Sequence, residues 1–297
     1  MDVVNVDAAD TITLDDNAKF LTGGGADIAL APNKAIRVCS DGAVWYQAAA
    51  VSSVAGSGSN FLDNLGDSET DYVTDFNMFL GVERLPSATG QYNIGLGQTA
   101  LDSITTGDNN IAIGYAALTT ITTQVNNIAI GKNVLSAATN TGNYNIGIGF
   151  ETLKTNTSGT NNIGIGDDTL FANTTGTDNA AVGDITMATN TTGLKSTALG
   201  QSVLLSNKAK QEITAVGYQA MYYADDTAVA SAPRNTAVGM QALMGSATAA
   251  NNIGTSNTAV GHTSLTANTS GSYNTTVGSR AGLNNTTGAA NTVVGGD

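Results

Sequence analysis

Few residues of this chain have the type and spacing to do chemistry. The closest carboxylate pairs are Asp167–Asp168 and Asp225–Asp226. Paired carboxylates serve glycoside cleavage, in which the two partners need not be adjacent in sequence, but aromatics to grip a sugar are few. They also serve calcium binding, yet a calcium β-roll carries a G-G-x-G-x-D phrase that only the terminal Gly295-Gly296-Asp297 approaches. His262 is the single histidine and follows a repeat glycine, at a position held elsewhere by Tyr, Lys, Phe or Asp, which marks an exposed coil edge rather than a ligand. Cys39 is the single cysteine, so no disulfide closes within one chain. Gly95-Leu96-Gly97 looks like a nucleotide loop, but no helix and no lysine follow at the required spacing. No catalytic residue, metal site or cofactor is predicted.

Composition narrows the function classes further. The 297 residues carry a formal charge of −13, which repels phosphate backbones and argues against nucleic-acid binding; the same acidity keeps a long rod dispersed. Only 12% of residues are charged and 5% aromatic, while 41% are hydrophobic, much of that alanine. Burial is therefore available, but only by coil on coil or chain on chain. The start of the chain has no basic, apolar signal pattern, and no run of about 18 apolar residues predicts membrane insertion.

The elements that must position any site are repeats. A polar residue, three small or β-branched residues and a glycine recur thirteen times, closing at Gly81, Gly97, Gly114, Gly131, Gly149, Gly166, Gly183, Gly200, Gly217, Gly239, Gly261, Gly278 and Gly295. Most intervals are 17 residues, with 22 before Gly239 and before Gly261. Such a period predicts an all-β fold, a parallel β-solenoid of about thirteen coils of about 17 residues. In the copy that opens at Asn162, Ile163 and Ile165 alternate with Gly164 and Gly166, the period of a strand. The branched face is expected to fill the coil, and the small face to meet another backbone. A leucine or methionine four residues after the glycine, as at Leu170 and Met187, predicts a second short strand closing the interior, hence two long parallel sheets. Turns such as Asn173-Thr174-Thr175-Gly176 are expected to use asparagine and glycine for left-handed backbone angles. The opening asparagines (Asn77, Asn93, Asn110, Asn127, Asn145, Asn162, Asn179) are expected to stack as an amide ladder.

One such coil is too thin to offset its own ordering entropy. Homotrimerisation is therefore expected, with Gly97, Gly114, Gly131, Gly149, Gly166, Gly183, Gly200, Gly217, Gly239, Gly261 and Gly278 on the trimer face.

Asn235–Gly239 (N-T-A-V-G) and Asn110–Gly114 (N-I-A-I-G) resemble the head repeat of trimeric autotransporter adhesins, whose coils carry N-S-V-A-I-G. Gly217–Met221, with Asn-Thr-Thr-Gly turns, is also similar to repeats of bacteriophage tail fibres and related virion fibres. The resemblance covers about residues 77–297 and implies β-rolls that trimerise and bind host surfaces. The adhesins carry a signal peptide and a membrane-anchor barrel, neither of which is seen in this sequence. Phage fibres need neither, being assembled in the host cytoplasm and released by lysis. The resemblance thus implies a virion, with a bacterial cell surface as the alternative. A third expectation, an ice-binding solenoid, is weakened because threonine shares its strand position with isoleucine.

Residues 1–50 fall outside the repeat and read as a small antiparallel β-domain for attachment or capping, with Arg37, Trp45 and Tyr46 expected at a dock to other virion proteins. Residues 51–76 read as a linker before the solenoid at 77–297. Receptor contact with a host surface glycan or protein is expected where the spacing slips, at Tyr218, Tyr222, Tyr223, Asp225, Asp226 and Arg234.

Overall fold

A computed structural model describes residues 77–80, 89–224, 227 and 231–296. The expectations for residues 1–50 and 51–76, including Arg37, Trp45 and Tyr46, lie outside the described residues, as do Asp225 and Asp226.

The expected parallel β-solenoid is present. Each coil contributes one three-residue strand: β1 Met78–Leu80, β2 Ile94–Leu96, β3 Ile111–Ile113, β4 Ile128–Ile130, β5 Ile146–Ile148, β6 Ile163–Ile165, β7 Ala180–Val182, β8 Thr197–Leu199, β9 Thr214–Val216, β10 Thr236–Val238, β11 Thr258–Val260, β12 Thr275–Val277 and β13 Thr292–Val294. They form a single 13-stranded sheet in sequence order. All pairs are parallel and in register, so Ile146 lies beside Ile163 and Ala237 beside Ala259. The second sheet is absent among the described residues: the segment around Leu170 is a run of turns. Its backbone still bonds coil to coil, with Leu170 N–H donating to Thr186 C=O at 3.0 Å and Thr174 N–H to Thr191 C=O at 2.9 Å.

The strand faces are the reverse of those expected. From β1 to β12 the central residue of the strand is the buried one: Ala112, Ala129, Ala181, Ala215 and Ala237 are fully buried, whereas Val293 of the last strand is exposed. The flanking branched residues point out, and Ile163 and Ile165 are 38% and 37% exposed. The interior is narrow. Leu101, Leu118, Leu135, Leu153, Leu170, Met187, Leu204 and Leu265 occupy it completely from the opposite wall, leaving room for alanine or glycine but not for two more isoleucines. To reach inward, these leucines take left-handed backbone angles, φ 52° at Leu170 and 53° at Leu153. The residues two before them and the residues before the opening asparagines do so too, as at Asp168 (φ 48°) and Asp178 (φ 58°). Asn173 and Gly176, expected to supply such angles, do not.

The turn asparagines have a different task. Asn173 is buried and its Nδ2 donates to Gly176 C=O at 3.1 Å and to Asn156 Oδ1, one coil below, at 2.8 Å. Asn190 and Asn207 continue this ladder at 2.9 and 3.2 Å. The opening asparagines form the ladder expected of them: Asn162 Nδ2 donates to Asn145 Oδ1 at 3.2 Å and Gly176 C=O at 2.8 Å, and Asn162 Oδ1 accepts from Asn179 N–H at 3.2 Å. Two columns of side-chain amides therefore line the interior and satisfy the inward-facing backbone of the turns.

Gly97, Gly114, Gly131, Gly149, Gly166, Gly183, Gly200, Gly217, Gly239, Gly261 and Gly278 stack on one another at φ between 122° and 138°, a region closed to other residues. A Cβ at Gly114 would stand 2.5 Å from Gly131 O, and one at Gly217 2.6 Å from Gly239 O. The close approach that demands glycine is thus made by the next coil of the same chain, which removes the reason for assigning these residues to a trimer face.

Two substitutions measure this interior. Leu170→Ala should cost about 3 kcal/mol through the cavity it leaves. Asn162→Ala should cost about 2 kcal/mol, because Gly176 C=O and the Asn145 and Asn179 groups lose a buried partner. Hydrogen exchange of the amides in the flanking coils reads both losses locally, as a repeat array requires.

Candidate functional site

Three surface features result from this fold. The first is the outer face of the sheet. Its first row runs Ile94, Ile111, Ile128, Ile146, Ile163, Ala180, Thr197, Thr214, Thr236, Thr258, Thr275 and Thr292; its second runs Leu96, Ile113, Ile130, Ile148, Ile165, Val182, Leu199, Val216, Val238, Val260, Val277 and Val294. All of these residues are half-buried or exposed. At about 4.8 Å per strand the ladder is about 58 Å long and about 10 Å wide, a footprint of about 600 Å². That is at the upper edge of what a monomer leaves open to water. The ladder is also sorted: isoleucine and leucine fill β2–β6, and threonine with valine or leucine fills β8–β13. Contrary to expectation, threonine does form an unbroken outward row, over six coils.

The second feature is the strip one residue after each closing glycine. Lys132 Nζ lies 5.9 Å from the Tyr115 ring centre and 5.8 Å from that of Phe150, so one cation bridges two exposed aromatics from the coils on either side. Beside them Lys154 pairs with Glu151 at 2.8 Å and lies 5.3 Å from the Phe171 ring centre. The hydrogen bond from Lys154, then that from Asn133 at 3.0 Å, hold the Glu151 carboxyl below its ordinary value. His262 stands on the same strip and is exposed.

The third feature is a cavity of about 410 Å³ at the level of the two longer coils. Its walls include Lys210, Ile213, Met221, Tyr223, Leu243 and Asn268.

The expected receptor residues divide. Tyr222 and Tyr223 meet edge to face with ring centres 4.6 Å apart, and Tyr223 lines the cavity. Tyr218 is 45% exposed on the strip after the glycine. Arg234 pairs outward with Glu212 at 2.9 Å. Lys210 and Ile213 were missed by looking for slips of spacing. Their signal is a slip of residue type: lysine stands where Gly159, Gly176 and Gly193 stand in the preceding coils, and isoleucine where asparagine opens most coils. Among the described residues no group of three or more His, Cys, Asp or Glu is placed to hold a metal ion. No family model, no curated protein and no solved structure matches this chain.

The remaining carboxylate pair has an electrostatic cost. Burial, then the neighbouring charge of Asp167, pushes the Asp168 carboxyl above its ordinary value. A raised carboxyl disfavours the charged form, so this contribution destabilises the fold above that pKa and is relieved as pH falls through it. Asp168→Asn keeps a side chain that tolerates φ 48° and removes the charge. It should raise stability at neutral pH by about 0.5 kcal/mol, with the gain shrinking toward acid pH in denaturant titrations.

Proposed function

We propose that this chain is the repeat shaft of a non-enzymatic virion fibre, of a phage tail or head. Parallel copies associate as a homotrimer, residues 1–50 dock to other virion proteins, and the exposed coil edges meet a host surface glycan or protein. The observation that carries this reading is the outward apolar ladder. A footprint of about 600 Å² approaches the roughly 800 Å² per partner of a stable interface, and no charged residue stands in either row. Its sorted composition favours parallel, in-register packing about the rod axis. Isoleucine then meets isoleucine along β2–β6, whereas an antiparallel pair would set Ile111 and Ile128 against threonines. The virion, assembled in the host cytoplasm, rests on the resemblance of the repeat; the bacterial adhesin head is the alternative on the same ground.

Sedimentation equilibrium of the full chain tests the association. A mass of three chains is expected, and Ile130→Asp with Ile148→Asp should give monomer, because each buried, unpaired carboxylate costs several kcal/mol. A wild-type chain that sediments as a monomer at micromolar concentration overturns the trimer, and absence of the protein from purified particles overturns the virion.

A second reading has one observation in its favour. The outward row Thr197, Thr214, Thr236, Thr258, Thr275 and Thr292, beside a row of valines and one leucine, is an in-register array of the kind an ice-binding solenoid uses. Ice-growth inhibition that Thr236→Lys abolishes would support it, and unhindered ice growth at millimolar protein would dismiss it.

A further inference from the structure

The strip after the closing glycines carries side chains that the coil itself does not need. In other coils the same position holds Gln98, Asp167, Asp184, Gln201, Met240 or Ser279, so folding sets neither size nor polarity there. Yet Tyr115 and Phe150 stand on it 50% and 42% exposed, with Lys132 in the coil between them. Rings that no packing requires, held against a cation, are a surface prepared for a partner. The charges around them are already divided. Glu151 is taken by Lys154 at 2.8 Å and by Asn133 Nδ2 at 3.0 Å. Lys132 keeps its three N–H donors and, among the described residues, has no carboxylate within ion-pair distance. In a chain of net charge −13 such a cation stands out.

We propose that the strip at the level of β3–β5 binds an acidic glycan, a chain of pyranoses carrying carboxylates, laid along the rod. This names the ligand of the coil edges and rests on their reading as the contact surface, but on neither the trimer nor the virion. Three features define the class. The face of an aromatic ring is electron-rich and attracts the polarised C–H face of a pyranose. Tyr115 and Phe150 are two coils apart, about 10 Å along the rod, and a disaccharide spans the same length. Lys132 between them offers its free N–H donors to a sugar carboxylate, while Asp167 and Asp184 continue the strip and repel an acidic chain beyond β5. Other polymers fit less well. The backbone here is spent between coils, with Asn133 N–H donating to Tyr115 C=O and Glu151 N–H to Lys132 C=O, so a peptide gains no strand pairing. Nucleic acid is repelled by the net charge.

Isothermal titration of the full-length protein with hexagalacturonate, a hyaluronan hexasaccharide and a sialic acid trimer tests it. Saturable binding of at least one is expected, weakening as salt rises. The neutral methyl ester of the bound glycan, and hexaglutamate, which has charge but no sugar ring, should each bind about tenfold more weakly or worse. Gln98 and Gln201 hold the strip position in other coils, so Lys132→Gln and the double variant Tyr115→Gln with Phe150→Gln preserve the fold; circular dichroism confirms it. Lys132→Gln should bind about fivefold more weakly or worse and lose the difference between acid and ester, and the double variant should lose binding. Tyr218→Gln, on the same strip but with no cation against its ring among the described residues, should bind as the wild type does. No saturable heat with any of the three glycans at millimolar concentration, equal binding of hexaglutamate, or full binding by the double variant overturns the proposal. Sedimentation of the same samples reads the association separately, so a chain that remains trimeric without binding overturns the glycan alone.

Discussion

The constraint on which this structure depends is that every inward polar group of a very thin tube must find its partner along the rod axis. A coil of 17 residues encloses no space for a layered core, and water cannot reach the backbone inside its turns. Each coil therefore hands its hydrogen bonds to the next. Ile163 N–H donates to Asn179 C=O, Gly166 N–H to Ile148 C=O, and the Asn162 amide spans three coils at once. The in-register sheet, the two amide columns and the glycine stack are three consequences of that one requirement.

The cost of the arrangement is visible in the backbone. Leucines in the left-handed region are unfavourable by about 1 kcal/mol or more each, and one recurs in most coils. Full burial of each leucine side chain, worth roughly 2–3 kcal/mol, offsets it. Coil geometry and burial are thus coupled: the leucine is buried because its backbone is left-handed, and that backbone persists because the leucine is buried. Since the interior is filled this way, the isoleucines and valines of the strands are left outside, where they form a continuous surface.

How much of a candidate site could be read from the residues depends on what made it. The acidic pair Asp167–Asp168 drew attention by adjacency, but among the described residues it belongs to no group of three or more His, Cys, Asp or Glu placed to hold a metal ion. The longer coils were legible from spacing, and Tyr223 does line the cavity there. Lys210 was not legible as a buried wall of that cavity, because a lone lysine in an acidic chain reads as a solvated charge. Only the knowledge that the turn glycine faces inward turns its replacement into a buried cation.

The sequence by itself determined the period, the parallel stacking, the leucine anchor and the opening amide ladder, because a fixed repeat forces like residues into register whatever the coil looks like. It also determined that the two strand faces differ. Which face is inside was decided by the tertiary structure alone. Alternation at period two is symmetric about the strand, and the usual rule that large apolar residues go inward fails when the opposite wall already fills the tube. The same closure decided that glycine meets its own chain rather than another, that one sheet forms rather than two, and that a cavity lies at the level of the two longer coils.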